Sequence, residues 1–276
     1  MKSINRFIYT NSKEVGLNAI FNKKSSGVYI EIVGLLAFAL IWCFCSYFFF
    51  TEKGVEHLHG FLPLPTFKAL ITSMTEVSFW LSAWASLRRV FVGILIATIV
   101  GVPIGIVVGY SPKLRKFAYS PIQFVRMISP LSWMPVALLV FTSFESAVTF
   151  LIVMACVCPI ILNTAIGVLN VNPQWIRMAM NQGADHIQLI KTIIIPYSIP
   201  YMLTSIRLAL GIAWIVLVPA EFLGVSNGLG YLINDARDTM EYDRLMAMII
   251  AIGIIGFCLD RMLQKIQSIF SWTWAE

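Results

Sequence analysis

From 147 to 169 the chain reads AVTFLIVMACVCPIILNTAIGVL, a run without a single charged residue. About 20 apolar residues suffice to carry a helix across the hydrocarbon core of a bilayer. In that medium every backbone polar group must be satisfied internally, so only helices or closed barrels can span it. Comparable runs are predicted as spans at 28–50, 87–110, 121–141, 193–220 and 245–263. Composition agrees: 58% of residues are hydrophobic and 12% charged, against about 25% charged in a soluble domain. The alternating polar and apolar segments of an outer-membrane barrel are missing. The sequence therefore predicts an all-α polytopic membrane protein with six transmembrane helices.

The distribution of basic residues gives an orientation. Of the 20 Lys and Arg, five lie in the polar segment 1–27, with others in SPKLRK (111–116), at Arg177 and Lys191, and at Arg261 and Lys265. Together these are twice as many as the six on the opposite side, Lys53, Lys68, Arg88, Arg89, Arg237 and Arg244. Bases collect on the cytoplasmic side, so both termini are expected inside, N-in and C-in. The net charge of +6 then reflects topology, and nucleic-acid binding is excluded for want of a basic face of soluble size. Residues 1–27 lack the short basic lead and small-residue cleavage site of a signal peptide and read as a cytosolic tail. Residues 264–276 read as a second one.

Between the spans, 51–86 is expected to lie on the outer side. Pro63 and Pro65 would hold the backbone extended ahead of an amphipathic surface helix at 66–86. The remainder, 87–263, then forms the core. Gly93, Gly101, Gly105 and Gly109 recur at the spacing that lets helices pack closely in lipid. Pro121, Pro130 and Pro135 predict a broken third span, allowed only where it lines a cavity. TSFES reads as a tight turn and the acidic stretch 221–244 as a loop. Cys43, Cys45, Cys156, Cys158 and Cys258 read as small buried hydrophobes, and His57, His59 and His186 as loop residues rather than a ligand set.

The most informative interruption is 170–192, placed on the cytosolic side. It predicts a short helix near 174–182, a turn at Gly183, and a second helix re-entering the membrane. Gly183 is followed at fixed spacing by Ile193 and Pro196. This resembles the G-x9-I-x-L-P half of the EAA loop of binding-protein-dependent ABC importer permeases, with Ile195 at the Leu position. The likeness extends from about 62 to 260 through LPLPTF, ISPLSWMP, CPIILNTAIGV and GLGYLINDA, and is strongest to the permeases of nitrate, sulfonate/taurine and bicarbonate importers. ISPLSWMP followed by ALLVF is most similar to the nitrate/bicarbonate branch. The resemblance implies a type I importer core of five spans plus one N-terminal span, in the bacterial inner membrane. It also implies cytosolic ABC ATPase subunits docked on a coupling loop formed by Arg177, Ala179, Gly183, Ala184, Ile193 and Pro196, a second permease copy, and a substrate-binding protein. ATP and Mg would sit on the partner subunits, since no G-x-x-x-x-G-K-[ST] phosphate loop occurs here and no catalytic constellation is present. One departure is notable. The EAA triplet falls on Arg177, Met178 and Ala179, so a base replaces its glutamate.

Ionisable residues within spans are costly and mark function by default. Arg207 and Glu221 are path candidates, Glu221 at the outer rim, with Ser129, Ser132 and Trp133 of the broken span and Asn163 and Thr164 opposite. Arg126, one turn inside the third span, reads as a side chain reaching toward the headgroups. The expected cargo is a small anion of the nitrate, bicarbonate, cyanate or sulfonate class. A rival reading is a secondary transporter driven by an ion gradient, which would want carboxylates deep in the membrane, and the spans offer none. Another is an ABC importer of a neutral small molecule.

Overall fold

A computed structural model describes residues 33–34, 36–48, 56–222 and 224–272. The predicted tail 1–27 and the ends of the first span lie outside the described residues. The helices are α1 (Leu36–Phe48), α2 (Pro63–Thr75), α3 (Val77–Tyr110), α4 (Pro112–Met127), α5 (Met134–Val140) and α6 (Phe144–Leu169). They continue with α7 (Pro173–Asn181), α8 (His186–Leu189), α9 (Ile195–Glu221), α10 (Leu229–Asp238) and α11 (Tyr242–Trp272). The chain forms two compact units divided after Phe67. The first holds α1 and the opening of α2, and the helix packing described below lies within the second.

Among the described residues, four helices are long and apolar enough to cross a membrane: α3, α6, the continuous run His186–Glu221, and Tyr242–Ile269 within α11. A bent pair, Pro112–Met127 with Pro130–Val140 at 87°, makes a fifth, and α1 is a shorter apolar helix in the region of the predicted first span. Packing fixes how these run. A Cβ added to Gly93, Gly101, Gly105 or Gly109 of α3 would strike Ile152, Ile160, Thr164 or Val168 of α6 respectively, at 2.5–2.9 Å. Both residue numbers rise together, so α3 and α6 are parallel. Residues 111–143 must therefore carry the chain back across, which is the task of the bent pair. Cys156 Sγ reaches the Ala209 carbonyl and Gly167 packs on Tyr201, so α9 is antiparallel to α6. Trp214 Nε1 donates to the Ile252 carbonyl and Arg207 meets Asp260, so α11 is antiparallel to α9.

The core lies along the α3–α6–α9 contact, around Val90, Ile94, Ile152, Ile160, Leu210 and Leu217. Large apolar residues cover the outside, such as Leu139 at 87% and Ile215 at 75% exposure. That pattern is stable against lipid tails, which solvate apolar side chains as water does not.

The seam gives a test. A methyl group at Gly105 would sit 2.6 Å from Thr164 Cβ and 2.7 Å from the Ile161 carbonyl oxygen, and neither helix backbone can retreat. Gly105→Ala should destabilise the chain by about 1–3 kcal/mol through overpacking. At Gly211, where an added Cβ meets nothing within 4 Å, the same change should be neutral or slightly stabilising, because alanine is the better helix former. Unfolding midpoints in detergent compare the two, and equal shifts would discredit the seam.

Several boundaries differ from the sequence reading. Helix α3 starts at Val77, not near 87, because Ser82, Ser86 and Arg89 are buried against the core where hydropathy alone places a polar flank. The surface helix is consequently shorter and earlier, at α2. Pro63 and Pro65 open it instead of holding an extended chain, since the first helical N–H groups have no intrahelical partner to lose. The basic segment 111–116 is the first turns of α4, with the Ser111 hydroxyl oxygen accepting from Leu114 N–H. Phe144 and Glu145 of TSFES already belong to α6, capped by Ser143. The stretch read as an acidic loop contains α10, whose Leu229, Leu232 and Ala236 are buried. Helix α11 runs through the predicted tail to Trp272, and 273–276 lie outside the described residues. Of the cysteines, Cys156 and Cys158 are buried while Cys43, Cys45 and Cys258 are exposed.

Candidate functional site

At the end of the bundle where α3 and α6 finish, residues 170–192 fold back on themselves. Asn172 starts α7, its Oδ1 accepting from Gln174 N–H at 2.9 Å, with Pro173 at the first helical position, where its missing N–H is harmless. The helix stops at a Schellman cap. Gly183 N–H donates to the Met180 carbonyl and Ala184 N–H to the Ala179 carbonyl, both at 3.0 Å. This closure needs a left-handed residue, and Gly183 supplies it at φ +86°. Asp185 N–H then donates to Gln188 Oε1 at 3.1 Å as the chain turns into α8. A π-helical stretch, Ile190–Ile194, joins α8 to α9, with Ile195 N–H donating to the Ile190 carbonyl.

The excursion has its own small core of Val168, Val171, Leu189 and Ile194, with Ile106, Ile176, Ala179 and Ile193 packed around it. Tyr110 OH is 2.6 Å from His186 Nδ1, a further tie to the end of α3. Facing out from α7 are Trp175 at 46% and Met178 at 59% exposure, with Arg177 beside them. Arg177 has no ion-pair partner among the described residues. Trp175 stacks edge-on against Tyr197, and both line a cleft of about 510 Å³ with Met178, Ile193 and Pro196. Thus the loop residues singled out by sequence stand together. Ala179, Gly183 and Ala184 make the cap, Ile193 and Ala179 fill the core, and Arg177 and Pro196 border the exposed face.

The path candidates do not gather in one place. Ser129 and Ser132 are exposed at the break between α4 and α5, while Trp133 packs on the main core. Thr164 is fully buried against Gly105, with its hydroxyl unpartnered. Asn163, half-buried, donates Nδ2–H to the Pro159 carbonyl at 3.0 Å and lines a cavity of about 600 Å³. Arg126, exposed, borders the same cavity.

Glu221, expected at the outer rim, is 1% exposed. Its carboxylate accepts from Arg89 Nη1 at 2.6 Å, Ser86 Oγ at 2.7 Å and Gly230 N–H at 2.8 Å. Arg89, 2% exposed, also donates to the Asn227 carbonyl at 2.9 Å and to Asn227 Oδ1, and reaches Glu145 Oε1 at 3.2 Å. Sequence reading missed Arg89 because it counted it among flanking bases. Arg207 forms a two-pronged pair with Asp260, Nε to Oδ1 at 2.8 Å and Nη2 to Oδ2 at 2.9 Å. Asp260 lies toward the end of the predicted sixth span, its side chain 46% exposed and neutralised by its partner across α9 and α11.

Comparison with known proteins agrees with this architecture. Residues 101–268 match the family described as binding-protein-dependent transport system inner membrane component. The chain is 31% identical over 261 residues to the bicarbonate transport system permease protein CmpB of Synechococcus elongatus, covering 90% of this chain and 91% of that one. It is 34% identical over 191 residues to the nitrate import permease protein NrtB of Leptolyngbya laminosa, covering 69% and 68%. It is also 32% identical over 192 residues to the taurine transport system permease protein TauC of Escherichia coli K12, covering 70% of each. A solved bacterial ABC transporter involved in alginate import shares the fold, with a TM-score of 0.63 at 14% identity over 86% of this chain and 94% of that one. This chain belongs to the binding-protein-dependent transport inner membrane component family and is an ABC importer permease subunit of the nitrate/sulfonate/bicarbonate type.

Proposed function

We propose that this chain forms, with a second copy of itself, the membrane path of an ATP-driven importer that carries a small oxyanion or sulfonate inward across the bacterial inner membrane. In this reading 170–192 faces the cytosol with both termini, and a substrate-binding protein delivers the cargo on the other side. The observation that carries it is the construction of 170–192. A short capped helix presents Trp175, Arg177 and Met178 outward. Its rear is packed onto residues from α3, α6 and α9. An exposed apolar helix face with one uncommitted cation suits a groove in a soluble partner. Its rear packing would pass a displacement of that partner to three spans together. ATP and Mg would act on the partner ATPases, closing them and drawing the two coupling helices together. Each nucleotide state must favour one permease conformation differentially to do so. The cargo class rests on relatives whose names specify bicarbonate, nitrate and taurine, all bearing an anionic oxygen group.

The test is uptake of labelled nitrate, bicarbonate and taurine by cells or proteoliposomes containing the assembled transporter. Uptake should require ATP and binding protein and should stop with vanadate. Transport by the purified chain alone, driven by an ion gradient, would overturn the proposal.

A further inference from the structure

The cavity bordered by Arg126 is walled by residues midway along two spans, and Arg126 itself, at the end of α4, is exposed in the single chain. Its walls come from the end of α4 (Gln123, Arg126), the middle of α6 (Cys158, Asn163) and the middle of α9 (Leu208, Ile212). The volume, about 600 Å³, is within the range of small-molecule sites. No lining residue is a carboxylate. Arg126 has neither a hydrogen-bond nor an ion-pair partner among the described residues. It contrasts with Arg89 and Arg207, each held by a carboxylate. A guanidinium within a membrane is costly and normally finds a counter-charge. Among the described residues of this chain none is supplied.

We infer that Arg126 is the anion-selecting residue of the transport path, and that a small monovalent oxyanion passing through this cavity supplies the missing counter-charge. Gln123 and Asn163 flank it with side-chain amides. Asn163 commits one amide hydrogen to the Pro159 carbonyl and retains a second. A planar guanidinium matches an oxyanion two-pronged. A single cation with amide neighbours holds it without the cage that would stop its release, which suits a conduit. This inference rests on the permease reading above and names the residue that would set its cargo's charge.

The test uses the full chain in membranes, with its five native cysteines replaced by alanine and Ile166→Cys placed on the cavity wall. The reaction rates of that thiol with anionic ethylsulfonate and cationic trimethylammonium methanethiosulfonates are compared. Arg126→Gln should lower the anion-to-cation rate ratio at least tenfold, Arg126→Lys should largely restore it, and excess sodium nitrate should slow the anionic reagent only where the charge is present. Leu139→Cys, on the outer surface at 87% exposure, should show no change in ratio, which separates loss of charge from loss of fold. In the assembled transporter Arg126→Gln should lower labelled nitrate uptake at least tenfold. An unchanged ratio and unchanged uptake in Arg126→Gln would overturn the inference while leaving the permease reading intact. A shifted ratio in a chain that shows no ATP-driven uptake would leave the charged cavity standing and overturn the permease reading.

Discussion

Glu221→Ala should destabilise the chain by about 3–5 kcal/mol, the range for breaking a buried ion pair from one side. The magnitude follows from what remains. Arg89 has a side chain only 1% exposed, and loss of Glu221 leaves its guanidinium with the distant edge of Glu145 at 3.2 Å and Asn227. The Ser86 hydroxyl and the Gly230 N–H lose their acceptor as well. Glu221→Gln keeps the shape and one acceptor oxygen, so its loss should be smaller. The double change Arg89→Met with Glu221→Leu should recover part of the deficit, since removing both charges also removes their desolvation penalty. Gly228→Ala is an independent probe of the same site. Gly228 has φ +133°, and a Cβ there would meet Glu221 Oε2 at 2.6 Å. Unfolding in mixed detergent and SDS micelles measures all four. A loss below about 1 kcal/mol for Glu221→Ala would mean the pair behaves like an exposed one.

Gly183→Val should abolish retention of the ATPase subunits on detergent pull-down, and with it ATP-driven uptake, while the chain still inserts in normal amounts. An added Cβ at Gly183 meets nothing within 4 Å, so the obstacle is conformational only. Valine at φ +86° is a true outlier, with about 1–2 kcal/mol of local strain. The simplest relief is to abandon the cap, which frees the Met180 and Ala179 carbonyls and lets α7 rotate off its packing. Gly183→Asn provides the control, because asparagine tolerates the left-handed region and should keep most of the retention. If valine and asparagine behaved alike, the cap would not be what positions the docking face. Full retention and uptake in Gly183→Val would sink the coupling role.

These two sites differ in how far the sequence disclosed them. The 170–192 excursion is written in local signals, with Asn172 and Pro173 to start a helix and Gly183 to stop it, so the helix and its turn stand where expected. The Arg89–Glu221 cluster is not local. Arg89 and Glu221 are 132 residues apart and meet only because α3, α9 and the segment before α10 converge. Arg89 beside Arg88 looks like a surface flank until Ser82 and Ser86 on the same helix are seen to be buried. Asp260 was hidden for a related reason. A lone carboxylate near the end of an apolar run reads as a boundary, and only the antiparallel packing of α9 on α11 brings Arg207 to it. Helix α10 was lost because its polar residues outnumber the buried Leu229, Leu232 and Ala236, whose three- and four-residue steps are the sole helical trace.

The glycine seam has a further consequence for motion. Each of four positions on α3 accepts the branch of a particular α6 residue, so a slip of one residue would drive those branches onto backbone. The pair has one stable alignment and must travel as a single beam. By contrast α4 has no buried residue along its whole length and joins α5 across an 87° bend. The wall that can swing is therefore the one carrying Gln123 and Arg126, and the charge that meets the cargo rides on the moving side.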